Sequence, residues 1–221
     1  MDYAPFLVTA KLALFTTVIL FVIAIPISYF LAFSRWRGKI FLESLLMLPI
    51  ILPPTVLGFY YLSFLGPQSG IGAFFEEYFD LSFAFSFEGI LIGSVIYCLP
   101  FMISPITSGL REIPRNTQES IRILGKSRSN ALRKVYLPMI KTSLWSGIVL
   151  TFAHTIGEFG LVLMIGGKMD ETNVASVAIY DEMNALNYDV ASHYAVIMLI
   201  VSFILIVTLN LILRKKRSIP A

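Results

Sequence analysis

The sequence predicts an all-α integral membrane protein, with about five transmembrane helices in a single domain spanning 1–221. Three observations carry that prediction. Hydrophobic residues make up 57% of the chain and charged residues only 14%, against about 25% charged in a soluble domain. Apolar runs near 6–34, 41–65, 87–110, 139–166 and 191–213 each reach the roughly 20 residues that a helix needs to cross a bilayer core. The 17 basic residues fall into three clusters, with only Lys11 and Lys168 outside them.

The run at 6–34 is too long for a signal peptide's apolar region and has no basic flank before it, so it reads as a retained span. Arg35, Arg37 and Lys39 follow it. The run at 41–65 is interrupted by Pro53-Pro54, and "PPTVLG" makes its middle polar and irregular. Each proline removes a backbone donor and tends to kink its helix. Broken helices in lipid are tolerated where the freed groups are buried in protein or line a wet cavity. A pathway-lining break and a packing irregularity both fit Pro53-Pro54, whereas Pro26, Pro49, Pro100 and Pro105 read singly as packing irregularities. The third run contains Cys98, which has no other cysteine to pair with and sits in an inert apolar setting. The fifth run ends in Arg214-Lys215-Lys216-Arg217.

Basic loops stay in the cytoplasm, which places the N-terminus outside and the C-terminus inside. An odd number of spans requires the same opposition. The outer segments are acidic: Glu76, Glu77 and Asp80 in one, and Asp170, Glu171, Asp181, Glu182 and Asp189 in the other. The net charge of +3 therefore reflects topology, and no nucleic-acid partner is expected.

Nothing in the chain has the pattern of an enzyme. His154 and His193 are the only histidines. No His, Cys and carboxylate set has metal-ligand spacing, and no serine sits in a nucleophile elbow. Glu158 is the one acid deep inside an apolar run, away from its ends, four residues after His154. On a continuous helix the two share a face and pair. Such a pair either marks a functional site or fastens helices together.

The segment 111–138 reads as two short helices. Asn116 is placed to cap the first, with Glu119 completing a capping-box-like pair. Gln118 to Leu124 forms its body, and Gly125 supplies the left-handed residue that ends it. Gly125-Lys126-Ser127 imitates the end of a phosphate-binding loop. Ser120 stands where that loop needs a second glycine, so the glycine is read as a turn. Ser127 or Ser129 starts the second helix, which carries Arg133 and Lys134, and Pro138 marks the entry to the fourth span. A helix-turn-helix between spans on the cytoplasmic face suits docking of a soluble partner.

At these residues the chain resembles the permease subunits of bacterial ABC importers. Their loop reads E-A-A, three residues, G, nine residues, I, one residue, L-P. Here Glu119, Ser120, Ile121, Gly125, Val135, Leu137 and Pro138 keep that spacing, with Ser120, Ile121 and Val135 departing from the usual types. The bulkier residues at 120 and 121 are expected to alter the docking surface slightly. "LPIILPPTVLGFYYLSFLGPQSGIG", "FAFSFEGILIGSVIYCLPFM" and "TFAHTIGEFGLVLMIGG" look like the molybdate group of these permeases, which shares much of its pattern with sulfate and tungstate permeases. His154 stands where some relatives carry arginine.

The resemblance implies a type I ABC importer permease fold in a bacterial inner membrane. It implies a homodimer that moves molybdate into the cytoplasm, with tungstate or sulfate as alternatives. Two ATP-binding cassette subunits would bind ATP and Mg²⁺ below, and a periplasmic or lipid-anchored molybdate-binding protein would sit above. This chain would bind no cofactor and meet only these partners and membrane lipid. Glu119, Ser120, Ile121, Gly125, Leu137 and Pro138 would form the ATPase-coupling loop. Pro53, Pro54, Thr55, Gly58, His154, Gly157 and Glu158 would belong to the translocation path or its gate. No arginine lies mid-span, so a weak anion path is expected, with selectivity left to the binding protein. Glu158 is expected to shape the gate through His154 or a helix break and not to touch an anion. A secondary transporter would instead need inverted repeats and a coupling-ion site, and would leave the 119–138 spacing unexplained.

Overall fold

The computed structural model describes residues 2–123 and 127–217. Its first helix, α1, runs Ala4–Phe33 with Pro5 in the first turn, where a missing amide hydrogen costs nothing. Thr9 and Thr17 donate to the carbonyls of Pro5 and Ala13, four residues back, at 2.7 and 2.6 Å. Those bonds hide two hydroxyls inside an apolar span.

The second run is not one rod. Helix α2 (Lys39–Ile51) and helix α3 (Pro54–Leu65) meet at an angle of 114°. Pro54 disfavours helical backbone at Pro53, whose ψ of 135° turns the chain. The Pro53 carbonyl then accepts from Val56 and Leu57, and Pro54 opens the new helix. With 13 and 12 residues, each half is about 20 Å long at 1.5 Å per residue, short of a bilayer core. The expected span 41–65 is thus a bent pair.

Helix α4 (Gly70–Phe79) is capped by Ser69, which accepts from the Gly72 amide at 2.8 Å, and it ends on left-handed Asp80. Helix α5 (Phe87–Arg111) starts under a Ser86 cap and crosses intact despite Pro100 and Pro105. Three short pieces follow: α6 (Arg115–Ile123), α7 (Arg128–Ala131) and, through a π-helical turn at Leu132–Tyr136, α8 (Leu137–Met139). The path turns by 78° at Ile140 into α9 (Lys141–Ile156). The expected span 139–166 breaks again at Gly157–Phe159 before α10 (Gly160–Gly166). Helices α11 (Ala175–Asn184) and α12 (Tyr188–Arg217) complete the described chain. The remaining three expected spans correspond to α1, α5 and α12.

α1, α5 and α9 form the centre of the bundle. One apolar core lies at the end that carries α6 to α8. It is built from Leu20, Ala24 and Leu31 of α1, Met102, Ile103, Ile106 and Leu110 of α5, and Ile121, Tyr136 and Ile140 of the short segment. A second core at the other end joins Leu12, Leu57, Tyr61, Ile90, Leu161, Ile165 and Val177. The Thr9 hydroxyl also accepts from the Ala175 amide at 2.8 Å and ties α11 to α1. The most apolar stretch of α12 buries nothing within the chain, which leaves it for lipid or another subunit.

Candidate functional site

The two helix breaks meet. α3 begins at Pro54 and α10 begins at Gly160, and their first turns face each other. A Cβ placed on Gly160 would lie 3.3 Å from Pro54 Cβ and 3.5 Å from Thr55 Cγ2. One turn further on, a Cβ on Gly58 would lie only 2.8 Å from Met164 Cβ. Gly58 is therefore a point of close helix approach that a side chain would wedge open. Pro53, Pro54, Thr55, Gly58, Gly157 and Glu158, which the sequence placed in two separate spans, form one region.

Gly157 ends α9, and its amide reaches the carbonyls of Ala153 and His154. Glu158 follows in the non-helical link and is 4% exposed. Its main-chain carbonyl accepts from Ser176 Oγ at 2.6 Å, which fixes the link to α11. Its carboxylate faces the Ser94 hydroxyl of α5 without a well-formed hydrogen bond, and both oxygens lack a partner among the described residues. Tyr97 and Cys98 flank it on the same helix. Cys98 Sγ lies 3.3 Å from Thr155 Oγ1.

The expected pairing of His154 with Glu158 does not form. α9 stops at Ile156, so the helical register that would bring the two side chains together ends between them. The His154 ring instead stacks on Phe101 at 3.9 Å between centroids and lies 5.0 Å from Tyr97. Its Nε2 has no partner among the described residues. His154 thus packs against α5, while Glu158 sits in the break.

Ser94, Tyr97, Phe101 and Ser176 escaped the sequence reading. Ser94 is one of several hydroxyl residues in an apolar span, and Ser176 lies in a different helix altogether. Only packing identifies them as neighbours of positions 154 and 158.

The second region is α6 with its flanks. The Gln118 main-chain amide donates to the Pro114 carbonyl, so the helix starts two residues earlier than an Asn116 cap would have it. Asn116 Oδ1 accepts from the Thr117 amide, and its carbonyl accepts from Ser120 Oγ at 2.9 Å. Ile121 is 7% exposed and belongs to the inner core with Tyr136 and Ile140. It is therefore an anchor and not part of an outer docking face, contrary to expectation. Ile123 is 86% exposed. Glu119, Ser120 and Pro138 are exposed, and Leu137 packs on the inner core. Gly125, the expected turn residue, lies outside the described residues.

The family model of binding-protein-dependent transport system inner membrane components matches residues 24–217. The chain is 36% identical to the molybdenum transport system permease protein ModB of Azotobacter vinelandii, over 94% of this chain and 92% of that protein. It is 28% identical to the sulfate transport system permease protein CysT of Salmonella typhimurium, over 94% of this chain and 75% of that protein. Among solved structures, a bacterial alginate ABC transporter in complex with an alginate pentasaccharide-bound periplasmic protein matches with a TM-score of 0.78. That match covers 99% of this chain and 80% of the other at 16% identity, and it speaks to the fold.

Proposed function

The chain belongs to the binding-protein-dependent transport system inner membrane components, a multi-pass membrane family of ABC importers, and on that premise we propose that it is a molybdate-conducting permease subunit. The observation that carries the substrate is its near full-length likeness to a molybdenum permease. In this reading two copies enclose the path, two ATPase subunits bind ATP and Mg²⁺ on the cytoplasmic face, and a molybdate-binding protein docks outside. The N-terminus lies outside and the C-terminus inside, as the basic clusters require. This chain holds no cofactor of its own.

The geometry supplies a route for coupling. Ile123 offers an exposed apolar contact to an ATPase groove, while Ile121, two residues earlier and so on roughly the opposite face of the helix, belongs to the inner core. A displacement of α6 is therefore passed through Ile121 into the inner core that it shares with Met102, Ile103, Ile106 and Leu110 of α5 and with Ile140 at the start of α9. α9 ends at Gly157, so the movement arrives at the break, where α10 rests on α3 through Gly58 and Gly160. Two half-length helices in close contact pivot more easily than continuous spans, because no backbone hydrogen bonds bridge the breaks. Neither 53–58 nor 157–164, the two stretches that meet here, contains a lysine or arginine. An oxyanion passing it meets no fixed cation, and weak binding favours release.

A molybdate-uptake assay with the cognate ATPase and binding protein tests the reading. Uptake should require all three components and resist excess sulfate. The sulfate relative makes the competing outcome specific. Efficient sulfate uptake with no molybdate uptake would reassign the substrate, and uptake without an ATPase would remove the importer reading.

A further inference from the structure

We propose that the groove between α5, α9 and α12 binds an anionic glycerophospholipid from the leaflet on the coupling-segment side. The groove is a cavity of about 790 Å³. It lies where the short segment joins the bundle, and its walls include both joints: Ile113 and Pro114 before α6, and Met139 and Ile140 after α8.

The lining changes along α9 in the order in which a phospholipid changes with depth. Lys141, Trp145 and Val149 are spaced by four residues, so they share one helix face over about 12 Å. A cation at the helix start comes first, then an indole, then an aliphatic side chain. A phosphodiester, a glycerol ester region and an acyl chain have the same sequence of polarity. Lysine at the headgroup level and tryptophan just beneath it are the ordinary interfacial anchors. Across the groove, Thr208 and Ile212 of α12 form the facing wall. Thr208 Oγ1 already donates to the Ile204 carbonyl at 2.8 Å, so its hydroxyl hydrogen is engaged within α12.

Charge selects the occupant. Lys141 forms no ion pair with a described residue, whereas Arg111 is engaged by Glu43 at 2.9 Å. α12 runs on from Ile212 through the sequence Arg214-Lys215-Lys216-Arg217. Glu112 lines the rim as well, but it is itself engaged in another interaction. Clusters of this kind at the membrane surface attract anionic headgroups. A free phosphate would satisfy Lys141 but leave the indole and aliphatic wall uncovered. A lipid seated here would bear on both joints of the coupling segment, and its binding is independent of which anion is transported.

The two tryptophans make the test direct. Trp36→Phe leaves Trp145 as the only indole of the full chain, which is reconstituted in phosphatidylcholine vesicles with a small fraction of phosphatidylglycerol brominated on its acyl chains. Bromine quenches indole fluorescence on contact. The expected result is quenching of Trp145 well above the level set by random mixing. Lys141→Glu, and Lys141→Gln as a milder change of similar length, should lower that excess about fivefold or more, the worth of one interfacial charge. Inorganic phosphate in excess should leave it unchanged. Circular dichroism confirms the helical content of each variant. Random-level quenching, or an excess that ignores the Lys141 variants, overturns the proposal. Loss of the excess on adding phosphate assigns the site to the free ion instead. Quenching below the random level assigns the groove to a second copy.

Discussion

Gly58→Ala puts the meeting of the two breaks to a quantitative test. The added Cβ would stand 2.8 Å from Met164 Cβ. Carbon atoms rest about 3.5–4.0 Å apart, so α3 and α10 must separate by roughly 1 Å. Neither atom is the free end of a flexible side chain, and the shift therefore falls on the backbones. Overpacking of this kind costs about 1–3 kcal/mol. If the closed gate bears that cost and the open gate does not, the equilibrium moves by roughly 5- to 150-fold. Basal ATP hydrolysis by the reconstituted importer should rise, and its dependence on the binding protein should weaken. Met164→Gly removes the opposing Cβ and should restore coupling in the double variant, whereas Met164→Ala keeps that atom and should not. The glycine itself costs about 1 kcal/mol in a helix, so rescue will be clearer in coupling than in thermal stability. Wild-type coupling and stability in a well-expressed Gly58→Ala protein would refute the close approach. Equal rescue by the alanine and glycine variants would refute the contact to Met164.

Other expectations follow from the same contacts. Glu158→Gln should keep uptake within about threefold and leave the molybdate-to-sulfate preference unchanged, because the amide retains polar contact with Ser94. Glu158→Leu removes a buried carboxylate that has no hydrogen-bond partner among the described residues, so the thermal midpoint should hold or rise while uptake falls; a changed ion preference in the Gln variant, measured by competitive uptake, would contradict the structural role. Ile123→Asp should abolish co-purification of the ATPase with the thermal midpoint unchanged, whereas Ile121→Asp should lower the midpoint by burying an unpaired charge in the inner core. The opposite pattern would reverse the roles of the two isoleucines. A reporter active only outside the cytoplasm, fused after Ala221, should stay silent, and activity there would invert the topology.

The sequence alone determined the membrane class and the place of a short helical segment between the third and fourth apolar runs, and it supplied the orientation argument. Long apolar runs are written residue by residue, and the cost of burying charge in lipid forces basic residues into loops. The spacing from Glu119 to Pro138 was legible for a similar reason, because a short helix pair keeps its contacts local. Pro53-Pro54 announced its break, since proline lacks the amide that would continue the helix. The second break gave no such sign. Gly157-Glu158 contains no proline, and a helical reading there predicted a His154–Glu158 pair that the end of α9 prevents. The tertiary structure also decided that Ile121 faces inward while Ile123 faces out, and that Ser94 and Ser176 attend Glu158. It decided, finally, that Gly58 meets Met164 and Gly160 meets Pro54. Those contacts join residues about a hundred positions apart in a chain where lipid and protein interior are equally apolar. Hydrophobicity therefore cannot say which face of a span turns inward, and only the fit of small residues against neighbouring backbones does.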